Sequence, residues 1–256
     1  MSYPLLQTLR KLAVYPESDG MPMADNSKQF RWIFVIYGNL AVQYRDATDV
    51  YVGGNMFWYP VEGHVEIVQA PDVFVVFGRP KEDRSSYRQW EEGDVPLTVV
   101  FEIRSPNNDW VEMDDKLLFY EDYGVEEYYL YDPDRNRLQV YIRRGELLLR
   151  VRQVEGFISP RLGIRFNLTE TELIVSKSNG QRFLSFEELE AAREQAAQQA
   201  EQSRQQAEQF KQQAEHAEQR VALLSRLVEL SSKARRQQAT PDELAELDRL
   251  EKELGR

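Results

Sequence analysis

The sequence predicts a mixed α/β domain followed by a long polar helix. Apolar residues recur at helical spacing over roughly residues 27–46, which indicates a helix packed against a core. Two apolar runs, 73–77 and 97–104, are too continuous for half-exposed strands and fit the centre of a sheet. From about Ser185 the composition changes to alanine, glutamine, glutamate and arginine. We therefore expect a sheet-containing domain and a separate helical segment.

The predicted core elements follow the order helix, strand, strand, strand, helix, strand in a mixed sheet. A second helix at about 110–123 precedes Gly124, a residue type that commonly ends helices. An antiparallel extension follows, because the apolar runs 138–142 and 147–151 flank a short Arg-Gly-Glu turn. The predicted boundaries are an irregular N-terminal arm over 1–26, the domain over 27–184, the long helix over 185–238 and a short last helix over 239–256.

The long helix predicted after residue 185 carries a seven-residue repeat of alanine and apolar side chains. Its two sets of positions are Ala200, Ala207, Ala214, Val221 and Val228, and Ala196, Ser203, Phe210, Ala217 and Leu224. A seam of this kind predicts a coiled coil, in which the alanines of the first half would pair weakly. A single solvated helix is the alternative.

Composition limits the kind of metal site that the chain can build. There is no cysteine, so disulfides and thiolate metal sites are excluded. The two histidines, His64 and His216, lie far apart in the sequence. Any metal would therefore be held by oxygen ligands, which favours Mg²⁺ or Mn²⁺.

Charge and hydropathy indicate the cellular setting and the partners. The formal net charge is −11, and residues 186–256, with 15 acidic and 11 basic side chains, account for −4 of it. The net negative charge of residues 1–185 disfavours tight non-specific DNA binding, but it does not exclude a local basic cleft. Neither an apolar run of about 18 residues nor a signal-peptide pattern is present, so we expect a cytoplasmic protein without a membrane partner.

Asp72 and Glu102 are the main candidates for chemistry. Each carboxylate belongs to an apolar strand candidate, where an unpaired charge is costly. Neighbouring strands lie about 4.8 Å apart, so two acids at matching heights can share one divalent ion. The alternatives are a turn cap for Asp72 and, for Glu102, an ion pair with Arg104 or Lys116.

Basic residues near these acids could assist them. Lys116, on the predicted helix, is the candidate for steadying a nucleophile or transition state, although a lysine on a helix is ordinarily solvated. Arg104 shares a strand face with Glu102, so it would either bind phosphate or pair with Glu102 in place of a metal. Further possible phosphate-binding residues, in a loop that is also rich in acids, are Arg79, Arg84 and Arg88.

These residues also carry a family resemblance. The chain resembles the bacterial restriction-endonuclease-like family of the PD-(D/E)XK nuclease superfamily over roughly residues 27–175. The matching positions are Pro71-Asp72, Glu102 in FEIRSPN, and Lys116 with Tyr120 and Gly124. The resemblance implies that Asp72 and Glu102 bind the metal. The superfamily lysine normally stands two residues after the glutamate, where this chain has Arg104, and the resemblance implies that Lys116 replaces it.

Two functions are compatible with these observations. The first is an Mg²⁺- or Mn²⁺-dependent endonuclease that hydrolyses DNA, with Asp72 and Glu102 as metal ligands and Lys116 assisting. It would act as a homodimer formed through the nuclease domain or the C-terminal helix. The second is a catalytically inactive interaction protein with the same fold, in which Arg104 pairs with Glu102 and the C-terminal helix oligomerises or docks.

Overall fold

The computed structural model describes residues 14–18, 20 and 24–255, and the chain divides into two units after Leu189. The predicted irregular arm of residues 1–26 lies largely outside the described residues. The helices are α1 (Ser27–Gln43), α2 (Trp110–Asp122), α3 (Phe186–Arg235) and α4 (Pro241–Glu253). The strands are β1 (Val50–Gly53), β2 (Trp58–Tyr59), β3 (Val73–Phe77), β4 (Tyr87–Arg88), β5 (Val99–Ile103), β6 (Glu127–Asp132), β7 (Arg137–Arg144), β8 (Leu147–Arg150), β9 (Phe157–Ile158), β10 (Arg165–Leu168) and β11 (Leu173–Ser176).

A mixed sheet in the order β1-β3-β5-β6-β7-β8 forms the centre of the first unit. Its strands pair antiparallel except for β5 and β6, which are parallel and have α2 between them in the chain. A connection that contains a helix is what parallel neighbours require. The predicted order of helix, strand, strand, strand, helix, strand is therefore confirmed, and so is the antiparallel extension.

The two faces of this sheet are both covered. Side chains of Val73, Val75 and Phe101 face a core that includes apolar residues of α1 and of the small sheet β9–β11. Side chains of Phe74 and Val100 point the other way, into a second core with α2. Since successive strand residues alternate between faces, the continuous apolar runs of β3 and β5 follow from this double burial.

Helix α1 begins where the sequence offers a cap. The Asn26 side chain accepts hydrogen bonds from the backbone N–H groups of Lys28 and Gln29, which the first turn of a helix leaves free. The helix then buries Trp32 and Ile36 against the sheet. It ends at Gln43, three residues before the predicted position of 46.

The second unit, Glu190–Arg256, contains all but the first four residues of α3 together with α4. Leu227 and Leu230 of α3 pack against Leu250 of α4. Thr240 and Glu243 form a capping box at the start of α4, as the Thr-Pro-Asp-Glu sequence suggests. The coiled coil stays a prediction. No described helix combines the length and apolar character that crossing a bilayer requires.

Candidate active site

Asp72 lies immediately before β3, beside the last residue of β5. Its Oδ2 accepts a hydrogen bond of 2.6 Å from the backbone N–H of Ile103, and only 8% of the residue is exposed. The register that pairs Val73 with Phe101 places Asp72 next to Glu102 on the neighbouring strand. Asp72 therefore satisfies a backbone group at the point where the β3–β5 ladder ends.

Glu102 lies within β5 and is buried against α2. Its Oε2 accepts a hydrogen bond of 2.9 Å from Nζ of Lys116, and its Oε1 accepts one from the hydroxyl of Tyr120. Lys116 and Tyr120 stand four residues apart, so both reach Glu102 from the same face of α2. The helix thus supplies a positive charge and a neutral donor to one buried carboxylate.

The two carboxylates belong to the same face of the sheet. Glu102 follows Val100 by two residues, and Asp72 precedes Phe74 by two, and both of these apolar residues belong to the core on the α2 side. Strand alternation therefore directs both acids toward α2. The structure therefore has the predicted arrangement of two acids on adjacent strands with Lys116 near them.

The electrostatics of the site reflect this crowding. Burial, and then the nearby charge of Glu102, raise the pKa of Asp72 from 3.8 to about 8. Burial by itself lowers the pKa of Lys116, but the charges of Glu102 and Asp72 outweigh it, and the pKa lies above its usual 10.5. Lys116 is therefore a cation at neutral pH, whereas Asp72 resists ionisation unless further positive charge arrives.

Gln29 of α1 completes the site, and sequence reasoning did not identify it. Its Nε2 donates a 2.9 Å hydrogen bond to the carbonyl of Ile103. The Gln29 side chain also lowers the pKa of Asp72, against the larger effect of burial. An amide on a helix face carries no sequence signal that links it to a strand about 75 residues later. Tyr120 stacks parallel to Trp58 and also donates a hydrogen bond to Glu102.

The donor set fits a hard divalent cation. Asp72 and Glu102 provide carboxylate oxygens, and the raised pKa of Asp72 marks a place where added positive charge would be stabilising. Among the described residues, no group of three or more acidic, histidine or cysteine side chains gathers in one place. An ion here would thus depend on two acids, with water and substrate oxygens completing its coordination, as Mg²⁺ commonly does.

Arg104 does not pair with Glu102, as the inactive alternative had required. Glu102 forms its ion pair with Lys116 instead. The Arg104 guanidinium donates to Asp132 Oδ2 at 3.1 Å and to the carbonyl of Asn108, and lies 4.8 Å from the ring centre of Trp110. The register between β5 and β6 explains this pairing, because Ile103 lies beside Tyr131 and the next residues on each strand are Arg104 and Asp132.

The loop arginines proposed as phosphate contacts all have partners within the protein. Arg84 holds Glu92 through Nε and a second nitrogen, at 2.6 and 3.1 Å, and Arg79 lies 3.8 Å from the same carboxylate. Arg88 lies 3.4 Å from Glu91. The structure thus brings Asp72, Glu102 and Lys116 together and places these arginines in a separate ion-pair network.

Comparison with known proteins shows the family of the chain. The family model Uma2, described as "Putative restriction endonuclease", matches residues 18–171. A solved structure described as "a putative nuclease belonging to DUF820", from Anabaena variabilis, is 14% identical and aligns over 60% of this chain and 87% of that chain, with a TM-score of 0.42. No curated protein matches significantly. The family match spans more than half of the sequence and includes Asp72, Glu102 and Lys116, and the chain therefore belongs to the Uma2 family.

Proposed function

We propose that this protein is a divalent-metal-dependent endonuclease that hydrolyses DNA phosphodiester bonds. The observation that carries the proposal is the convergence of Asp72, Glu102 and Lys116 at one end of two adjacent central strands. Two buried acids beside a partly buried ammonium are costly for stability, so an arrangement of this kind is typical of functional sites. Membership in a family described as restriction endonucleases supports nucleic acid as the substrate.

Each residue has a role that its contacts suggest. Asp72 and Glu102 would hold Mg²⁺ or Mn²⁺, which when bound supplies positive charge to the phosphate and favours attack by water. Lys116 donates to Glu102 Oε2 and stands where its ammonium can orient the attacking water or offset charge on a phosphate oxygen. Tyr120 and the N–H of Ile103 keep the two carboxylates in fixed positions.

Cleavage assays test this proposal directly. Plasmid DNA would be incubated with the full chain while Mg²⁺ or Mn²⁺ is titrated, beside Glu102→Gln and Asp72→Ala variants prepared identically. We expect metal-dependent cleavage by the wild type and a loss of at least about 100-fold in both variants. Equal cleavage by all three proteins would identify a contaminant. Metal binding without cleavage would favour the interaction-protein alternative.

We further propose that the protein forms a homodimer through α3. The side chains of Val221 and Val228 are 62% and 65% exposed, and Leu224 of the same seam is 38% exposed. A second copy of this chain would cover them as a coiled coil. Sedimentation of a Val221→Glu/Val228→Glu variant should show a monomer, whereas the control Gln212→Glu/Gln219→Glu, of equal charge but outside the seam, should remain dimeric. A monomeric wild type would exclude the interface.

A further inference from the structure

A cavity of about 710 Å³ opens beside the candidate active site. It lies along α1, β1 and the loop over residues 81–84, and Asp72 is part of its lining. Glu102 and Lys116 are not among its lining residues, so the cavity meets the acidic pair only through Asp72. Its volume lies within the range of pockets that enclose small organic groups. A substrate atom at Asp72 would therefore have this cavity next to it.

The α1 side of the cavity is aromatic and exposed. Phe34 and Tyr37 line it, and their residues are 48% and 40% exposed. They stand three residues apart and so share a helix face, and the ring of Phe30 lies 4.4 Å from that of Phe34. Tyr51 of β1 also lines the cavity, with the Arg84 guanidinium 4.3 Å from its ring centre. Flat π surfaces thus dominate this part of the lining.

The net charge disfavours phosphate neutralisation as the only source of DNA affinity. Residues 1–185 carry about −7 of the net charge, and Arg84, the arginine that lines the cavity, is held by Glu92. Lys81 donates to the backbone carbonyls of Tyr44 and Arg45. Stacking of bases on aromatic side chains is the other general source of affinity for nucleic acid, and the stacking contact itself does not require a positive charge. The exposed rings of Phe34 and Tyr37, which line the same cavity as Asp72, provide such a stacking surface.

A base inside a duplex cannot reach these rings, because both of its faces are covered by neighbouring base pairs. An unpaired base can leave the stack at a smaller cost in free energy. We propose that the cavity receives an unpaired base of the DNA strand, stacked on Phe34 and Tyr37, while the adjoining phosphate lies at Asp72. This inference rests on the proposed function, which it narrows to DNA that contains a single-stranded segment.

Binding without hydrolysis tests the inference. Fluorescence anisotropy in EDTA would measure the affinity of the full chain for a labelled oligothymidine and for a blunt duplex of the same length. Phe34→Ala and Tyr37→Ala should each weaken single-strand binding by roughly five- to 100-fold, the range for loss of one base–aromatic stack. Phe34→Trp should retain it. Phe186→Ala, which removes a 78% exposed phenylalanine that neither lines the cavity nor belongs to the seam positions given above, is the matched control and should bind as the wild type does.

The outcomes separate this inference from the proposed function. Unchanged single-strand binding in Phe34→Ala and Tyr37→Ala overturns the inference, as does a wild type that binds the duplex equally well or binds neither probe. These results would leave metal-dependent cleavage, measured with Glu102→Gln, unaffected. Conversely, single-strand binding that depends on Phe34 and Tyr37, in a protein that cleaves no DNA, supports the base site and refutes the nuclease.

Discussion

Replacing Asp72 with asparagine should stabilise the metal-free protein at neutral pH. Burial raises the pKa of Asp72 to about 8 in the folded chain, whereas an ordinary aspartate, as in the unfolded chain, has a pKa of 3.8. The residue is nearly fully buried. Below pH 3.8 the carboxyl is protonated in both states and has no effect. Between pH 3.8 and 8 the unfolded chain loses this proton first, so the free energy of unfolding of the wild type falls as pH rises.

The size of the effect follows from the difference in pKa. Each unit corresponds to about 1.4 kcal/mol, so at pH 7 the difference of roughly three units between pH and the unfolded pKa sets an upper limit of about 4 kcal/mol. Residual structure in the unfolded chain and relaxation around the buried pair reduce it, and we expect about 1–4 kcal/mol. Asparagine retains an oxygen that can accept the hydrogen bond from Ile103.

Urea unfolding in EDTA, followed by tryptophan fluorescence, measures this effect. All four tryptophans lie before residue 111, so the signal reports on the first unit. The advantage of Asp72→Asn over the wild type should be near zero at pH 4, should be large at pH 7 and should level off only above about pH 8. Asp46→Asn, at an 89% exposed side chain, is the control and should show no such trend. An advantage that is absent at pH 7, or equal at pH 4 and pH 7, would refute the link between burial and charge at Asp72.

Two further substitutions test the supports of the site. Lys116→Met leaves Glu102 buried without its cation and should lower the free energy of unfolding, measured in urea, by about 3–5 kcal/mol. The double variant Lys116→Met/Glu102→Gln should recover most of this loss. A loss below about 1 kcal/mol in Lys116→Met would contradict the pairing. Gly54→Ala places a Cβ 2.6 Å from the carbonyl oxygen of Asp72 and should cost about 1–3 kcal/mol and reduce cleavage. Gly38→Ala, within α1 and with nothing within 4 Å, should instead stabilise by up to about 1 kcal/mol, and equal behaviour of the two alanine variants would refute the steric explanation.

Several elements escaped sequence reasoning because they are short. Strands β4 and β9 each contain two residues, which is too few for an alternating pattern to show. Tyr87 of β4 is nevertheless fully buried, since β4 pairs in parallel with β2, whose Trp58 packs against α2. Their positions depend on partners that are distant in the sequence.

The order of the core elements and the two candidate acids follow from the local pattern of residues. Periodicity reports which face of each helix or strand is buried, and a carboxylate within an apolar strand is a clear signal. The pairing of cations with acids is visible only in the folded chain, where Lys116 pairs with Glu102 and Arg104 pairs with Asp132. That pairing depends on strand register and on how α2 lies across the sheet, and both are set by contacts between residues far apart in the chain, which local patterns do not encode.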